Sequence, residues 1–332
     1  MSKKFQVVGI GNAMVDILCH VEDAFLAENG VEKGIMQLID MERSVALYDA
    51  IGMAKEISGG SAANTIAGIA HLGGKTAYVG KVKDDQLGAI FAHDLRAQGA
   101  IYETKKALKT SPAETGRCIV LVTPDGERSM NTYLGVTEFL HPHDIDEAMM
   151  ADADWIYLEG YRFDGPDSHE AFAKAIAATK GAGGKVSITL SDPFCVERHR
   201  DAFRAMIQDH VDLLFCNRAE MMSMYGDDFD AALAVAAQEC ALVVCTDSEH
   251  GVHIVQNGTR LHVDAVPTQI VDATGAGDLF AGAFLWGLTN GYDVETCGRM
   301  GCVAASEIIS HIGARPEADL QDMFQSHGLL KS

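Results

Sequence analysis

Basic residues are scarce in this chain. Lys and Arg number 26 against 47 Asp and Glu, a formal net charge of −21. So acidic a protein argues against nucleic acid and anionic membranes as partners, because both are bound through basic patches. It does not argue against ATP, which arrives as a magnesium complex and is held mainly by local N–H groups. The surplus of carboxylates serves solubility. Long apolar runs are missing as well: nowhere do the ~20 consecutive apolar residues of a membrane helix occur. Met1-Ser2-Lys3-Lys4 passes straight into strand-like Phe5-Gln6-Val7-Val8, without the apolar stretch of a signal peptide, so the chain is expected in the cytoplasm. The 8 cysteines are scattered with no CxxC pair, and several lie in apolar runs. They read as buried reduced thiols rather than disulfides or a zinc site. There is no GxSxG elbow, no HExxH and no P-loop GxxxxGKS/T. A kinase built on this chain must therefore hold phosphate in another way.

What is present is an alternation. The 332 residues suffice for one large α/β domain or two smaller ones, with 48% hydrophobic and 22% charged residues. No internal repeat or low-complexity linker interrupts them. Strand patterns fall at Phe5–Ile10, Ala77–Gly80, Trp155–Leu158, Val186–Leu190, Leu213–Cys216 and Leu242–Cys245. Helical patterns fall at Ala62–Leu72, Leu87–Gln98, His169–Thr179, Ala231–Glu239, Leu279–Leu288 and Thr296–Ile309. Strands apolar on both faces, alternating with helices, predict a mostly parallel central sheet flanked by helices. Four short runs break the rhythm: Met14–Val21, Gly34–Ile39, Arg117–Thr123 and Arg128–Leu134. Pro124-Asp125-Gly126 joins the last two as a hairpin. These runs predict a small β-sheet lid over residues 13–41 and 113–137, on an α/β core of 1–12, 42–112 and 138–332. Polar residues follow the core strands: Asn12 and Asp16, Glu159, Ser191 and Asp192, Asn217, Thr246 and Asp247. Ligands in open α/β sheets bind beyond the carboxyl ends of the strands, so these residues can line one crevice. Loops after strands are polar in any case.

Val271-Asp272-Ala273-Thr274-Gly275-Ala276-Gly277-Asp278-Leu279-Phe280 is the most informative stretch. A glycine-rich turn feeds an apolar helix, whose free N–H groups and dipole favour an anion. Gly275 and Gly277 allow close approach of a ligand. Asp278 makes sense beside a phosphate if it faces the hydroxyl that attacks it, with amides stabilising charge and the carboxylate taking a proton. A plain helix N-cap would use the same residues. Gly9-Ile10-Gly11-Asn12-Ala13-Met14 is not a dinucleotide loop, since Met14 stands at the third glycine. Asp16 beyond it can accept two hydrogen bonds from a vicinal diol, or be an exposed strand aspartate. Ser58-Gly59-Gly60-Ser61-Ala62-Ala63-Asn64 opens a small-residue helix, with Asn64 able to donate to and accept from a hydroxyl. Asn217 and Glu220 share a helix face and can position phosphates through magnesium and water, or form a capping box. His141-Pro142-His143-Asp144 has metal-ligand residue types but reads as a surface turn.

Together these residues resemble the PfkB carbohydrate kinases, the ribokinase-like family. Gly59-Gly60-Ser61-Ala62-Ala63-Asn64 and Asp272-Ala273-Thr274-Gly275-Ala276-Gly277-Asp278 match its two signatures in order, and Gly9–Asp16 and Asn217–Glu220 match as well. The resemblance runs from the first strand to about Ala314. It implies a ribokinase-like α/β core with a β-lid, ATP as phosphoryl donor and Mg2+. It implies Asp278 as catalytic base and Gly275, Ala276 and Gly277 as the anion hole. Asp16, Gly59, Gly60 and Asn64 would hold sugar hydroxyls. Asn217, Glu220, Thr246, Ser248 and Gly251 would hold the nucleotide, with Glu220 reaching Mg2+ through water. The family often has glycine where Ser248 stands. Many members use a monovalent cation such as K+, which makes Asp272 and Thr274 its candidates. Ser61-Ala62, Met36-Gln37-Leu38 and Arg128-Ser129-Met130 look most like the adenosine kinase branch, with Met36, Leu134 and Tyr161 as apolar walls for a purine or as ordinary packing. Two alternatives stand beside phosphorylation of a ribonucleoside such as adenosine. One is a kinase for a free sugar or keto-deoxy sugar acid, which would draw on Arg128 or Arg162. The other is a catalytically silent nucleoside-binding protein. The partner is a small molecule in each case, in a monomer or a homodimer.

Overall fold

The computed structural model describes residues 3–331. In chain order the strands are β1 (Phe5–Ile10), β2 (Met14–His20), β3 (Met36–Leu38), β4 (Lys55–Gly59), β5 (Thr76–Val79), β6 (Ile101–Tyr102) and β7 (Gly116–Val122). They continue with β8 (Arg128–Tyr133), β9 (Ala153–Glu159), β10 (Lys185–Thr189), β11 (Leu213–Asn217), β12 (Leu242–Thr246), β13 (Val252–Gln256) and β14 (Thr259–Val263). A 9-stranded sheet runs β14-β13-β12-β11-β10-β9-β1-β5-β6, and a 5-stranded sheet runs β3-β8-β7-β2-β4. This is the mostly parallel sheet expected from the alternation, with the small second sheet expected from the short runs; the resemblance implied the same arrangement.

In the large sheet, β6 through β12 pair in parallel. Its interior strands are apolar on both faces because helices cover both. Ile156, Val186 and Phe203 sit in the core of one face, and Tyr157, Phe215 and Phe284 in that of the other. The antiparallel edge hairpin β13–β14 was not expected. Its turn is Asn257-Gly258, with both residues at positive φ (48° and 80°), the pair that a tight two-residue hairpin favours. The six expected helices form within one to three residues of their predicted ends. Pro193–His210 is a further helix, capped by Asp192 with Pro193 in its first turn and kinked at His199. All 8 cysteines are buried and free, as expected. Among the described residues no helix is long and apolar enough to cross a membrane.

The small sheet has one strand more than the four expected. Lys55–Gly59 lies in the segment 42–112 assigned to the core, yet it pairs antiparallel with β2. Only Ser58 and Gly59 of it are buried, so its hydrophobic pattern is nearly silent. β2 leaves β1 after Gly11-Asn12-Ala13, and β4 runs through Gly60 into the helix Ser61–His71. The chain thus passes between the sheets at two glycine-containing turns side by side.

The core beside β9 and β10 makes a measurable claim. Phe203 is fully buried and stacks on Phe163 with ring centroids 4.1 Å apart. Phe203→Ala should cost about 3–5 kcal/mol of stability in urea denaturation. A loss under about 1 kcal/mol would mean that this face is not tightly packed.

Candidate active site

The helix Ala276–Thr289 begins at Gly275, which is left-handed (φ 77°, ψ 0°), and no side chain caps it. No side chain accepts from its first amides, and of these the Ala276 amide donates to the Ala273 carbonyl at 3.3 Å. They open on a cavity of about 1340 Å3 lined by Gly275, Ala276, Gly277 and Asp278. A Cβ on Gly275 would press on Ala314 at 2.9 Å, whereas one on Gly277 would meet nothing within 4 Å.

Asp278 is held from a second helix start. Ser61 Oγ donates to its Oδ1 at 2.6 Å and Asn64 Nδ2 donates to its Oδ2 at 2.9 Å. Both donors stand on Ser61–His71, which begins after Gly60 at φ 96°. A Cβ on Gly60 would strike the Asn12 carbonyl oxygen. Burial pushes the Asp278 carboxyl above its ordinary value, against the two hydrogen bonds and the charge of Arg315. Asn64 Oδ1 is buried without a partner. Such an orphaned acceptor costs ~1–3 kcal/mol, so the site is built to receive a donor there.

Asp16 projects from β2 toward the same region. Gly59 makes room for it, since a Cβ there would overlap the carboxylate. Burial raises Asp16 to about 7; Asp278 and Asp272 add to the rise, and Arg315 and Arg128 oppose it. Asp16 lines a small recess with Leu18, Ile57, Val120, Arg128 and Thr274.

On the far side of the large cavity stand Asn217, Glu220, Thr246, Ser248 and Gly251. Asn217 and Glu220 form a capping box: Asn217 Oδ1 accepts from the Glu220 amide at 2.8 Å, and Glu220 accepts from the Asn217 amide at 3.0 Å. The cap and the cavity wall are thus the same pair. Burial raises Glu220 to about 7. Ser248 has φ 49°, a conformation in which glycine is the unstrained residue. Gly251, at φ 90°, faces the Val263 carbonyl so closely that no Cβ fits. The cavity lining carries Glu197, Glu220, Asp227, Asp247, Glu249 and Asp278 but only one basic residue, Arg218, whose Nη1 donates to Asp247 at 2.8 Å. A bare triphosphate would be repelled here. Among the described residues no three-residue cluster of His, Cys, Asp or Glu suits a metal. A magnesium ion carried on phosphates and water, with few protein ligands, fits this donor set.

The model of the pfkB family of carbohydrate kinases matches residues 35–320. The chain belongs to the pfkB family of carbohydrate kinases. Adenosine kinase from Sinorhizobium meliloti superposes with a TM-score of 0.92 at 45% identity, covering 98% of this chain and 99% of that one. A probable sugar kinase from Rhizobium etli CFN 42 gives a TM-score of 0.94 at 45% identity, covering 99% and 100%. The 5-dehydro-2-deoxygluconokinase of Shouchella clausii is 26% identical over 318 residues, 93% of this chain and 90% of its own length. The adenosine kinase likeness supports the branch that the motifs resembled.

Several expected contacts take another form in this pfkB kinase. Asp272 is not a free cation ligand. Its oxygens accept from the Thr274 amide at 2.8 Å and the Gly313 amide at 2.9 Å, and it pairs with Arg128. The guanidinium offsets the Asp272 charge, and Thr274 is joined to this site through its backbone amide. Arg162 faces no ligand: it is buried, donating to Asn12 Oδ1 at 3.0 Å, the Thr137 carbonyl at 2.6 Å and Ser168 Oγ at 2.8 Å. Met36 pairs with Met130 on the small sheet, Leu134 packs beside Met14 and Val120, and Tyr161 packs on the core of the large sheet. His141 and Asp144 cap their own turn, and Asp144 also binds Lys81. Of the polar residues after strands, Ser191, Asn217, Thr246 and Asp247 line the cavity. Glu159 instead lies beneath it, accepting from the Ala62 amide at 2.8 Å and the Asn12 amide at 3.3 Å. The sequence reading missed Ser61 as a partner of Asp278, although a hydroxyl three residues before Asn64 on one helix was a usable signal.

Gly275 and Gly277 separate conformational need from steric room. Gly275→Ala should lower the melting temperature, with a cost of about 1 kcal/mol or more from its positive φ and the Ala314 contact. Gly277→Ala should melt at or slightly above the parent, since alanine is favoured in a helix by up to about 1 kcal/mol. Equal losses in both variants would contradict this assignment.

Proposed function

We propose that this pfkB kinase transfers the γ-phosphoryl group of ATP to the primary hydroxyl of a ribonucleoside, with adenosine as the favoured acceptor. The observation that carries the reading is Asp278, pinned by Ser61 and Asn64 at an uncapped helix start on the cavity wall. The large cavity takes the nucleotide, along Asn217, Glu220, Thr246, Ser248 and Gly251. The recess at Asp16, about 10 Å3 as it stands, widens as the small sheet moves and takes the acceptor ribose, with Gly59 leaving room for the Asp16 carboxylate and the orphaned Asn64 Oδ1 accepting from a hydroxyl. Asp278 accepts the hydroxyl proton as the new O–P bond forms and the bond to the leaving ADP breaks. The amides of Gly275, Ala276 and Gly277 meet the charge on the transferred group. Magnesium, when bound with the nucleotide, neutralises phosphate charge beside Glu220. The small sheet, residues 13–41 and 113–137 together with β4, acts as a lid that keeps water from the acceptor site.

A second reading has its own observation. Arg128 Nη1 is buried without a hydrogen-bond partner in the Asp16 recess. A free guanidinium N–H there suits the carboxylate or carbonyl of a keto-deoxy sugar acid, the acceptor class named for the Shouchella clausii relative.

Asp278→Asn should reduce turnover by about 10²–10⁴-fold while acceptor affinity changes little. Near-normal turnover would sink the base assignment. Gly277→Ala, structurally harmless, should still lower kcat by about 10²-fold or more because its methyl group enters the phosphate site. An ADP-release screen over adenosine, other nucleosides, ribose, fructose and 5-dehydro-2-deoxygluconate tests the acceptor. Adenosine should turn over fastest. Activity confined to the sugar acid, and lost in Arg128→Met, would establish the second reading instead.

A further inference from the structure

The segment after the helix Val294–Ile308 touches the site at three consecutive residues. The Gly313 amide donates to Asp272, Ala314 backs Gly275, and Arg315 reaches under the turn that carries Gly59, Gly60 and Ser61. Arg315 Nη1 donates to the Ala63 carbonyl at 2.9 Å, and Nη2 donates to the Ser58 carbonyl and Oγ, each at 3.2 Å. The guanidinium therefore ties together the two ends of the turn. Within the turn it holds, Gly59 abuts the Asp16 carboxylate and Ser61 binds Asp278, and its charge acts on both carboxylates, which repel each other.

We propose that Arg315 is a positioning residue for phosphoryl transfer: it clamps the Ser58–Ala63 turn and its positive charge offsets the repulsion between the Asp16 and Asp278 carboxylates. This rests on the reading of Asp278 as the base. Two carboxylates aimed at one substrate cannot both stay ionised at low cost without a cation beside them. Arg128 faces Asp16 but is paired with Asp272. Among the described residues Arg315 is the basic group whose charge acts on both Asp16 and Asp278. The other groups around the pair are carboxyls, phenols and the Cys118 thiol, which stands opposite Asp16 on β7. Asp94 and Tyr78 lie in the field of Arg315, while Glu159 and Tyr157 on β9, Tyr161, and Glu220 lie in that of Asp278. None of these opposes the rise in the Asp278 carboxyl that burial causes. A guanidinium suits the post because its planar fork reaches the Ser58 and Ala63 carbonyls at once, which an ammonium cannot.

The test is the pH profile of kcat/KM for the full chain and for Arg315→Met and Arg315→Lys, with melting temperatures recorded for each. A base must be deprotonated to act, so activity rises with pH through its pKa. Removing the cation raises that pKa further, and the acid limb of Arg315→Met should move up by about one pH unit or more. Its kcat should be at least tenfold down at pH 7 and recover in part at alkaline pH. Arg315→Lys keeps the charge and loses the clamp, so its acid limb should stay and its kcat fall several-fold. A folded Arg315→Met with an unmoved acid limb overturns the proposal. If Arg315→Met does not fold, Arg315→Lys decides it: kcat equal to the parent would overturn the clamp. Should Asp278→Asn retain turnover, the base reading fails on its own account. If Asp278→Asn is inactive and Arg315→Met keeps its pH profile, only the Arg315 proposal fails.

Discussion

One carboxylate joins the starts of two neighbouring helices in this molecule. Asp278 begins one helix and is gripped by Ser61 and Asn64 from the beginning of another. Both helices point their positive ends at it, so two dipoles and two hydrogen bonds offset a burial that would otherwise neutralise it. The glycines follow from this convergence. Gly275 must turn left-handed to start its helix beside Ala314, and Gly60 must do the same against the Asn12 carbonyl. Gly59 must lack a side chain so that Asp16 can stand across from it. Each glycine permits an approach that any Cβ would block.

The charge pattern of the cavity follows the same logic. Six carboxylates and one arginine line a space proposed for a polyanion. Attraction between lining side chains and phosphate cannot be the source of its affinity. Backbone amides and a metal carried by the nucleotide remain as the means, in keeping with the absence of a P-loop lysine. The overall acidity of the chain is therefore compatible with nucleotide binding, because the sign of the surface charge and the chemistry of the phosphate site are set by different atoms.

How much of this was legible in the sequence depended on how local the cause was. The Gly275–Asp278 turn and the Gly59–Asn64 turn were readable because close approach and helix capping act over a few residues. The parallel sheet was readable because strands buried on both faces leave unbroken apolar runs. β4 was not, since only its last two residues are buried and its partner β2 decides its fate. The Asn257-Gly258 hairpin carried a clear local signal that went unused. Asn217 and Glu220 were readable as either a cap or a ligand pair, and the structure makes them a cap that is also a wall. Asp272 looked free for a cation because its partner, Arg128, comes from a distant strand. Arg315 left no trace in local pattern at all, as its acceptors lie 252 and 257 residues away in the chain.

Two of the four passages between the sheets, the glycine turns before β2 and after β4, also carry the groups around Asp278. β2 holds Asp16 just after one crossing, and β4 ends at Gly59 just before the other. Any rotation of the small sheet is thus delivered to Gly60, and through it to the first turn that presents Ser61 to the carboxylate. The hydrogen bonding of Asp278 and the posture of the sheet are thus mechanically linked. A shift of the small sheet would therefore reach a buried carboxylate on another helix with no further part between them.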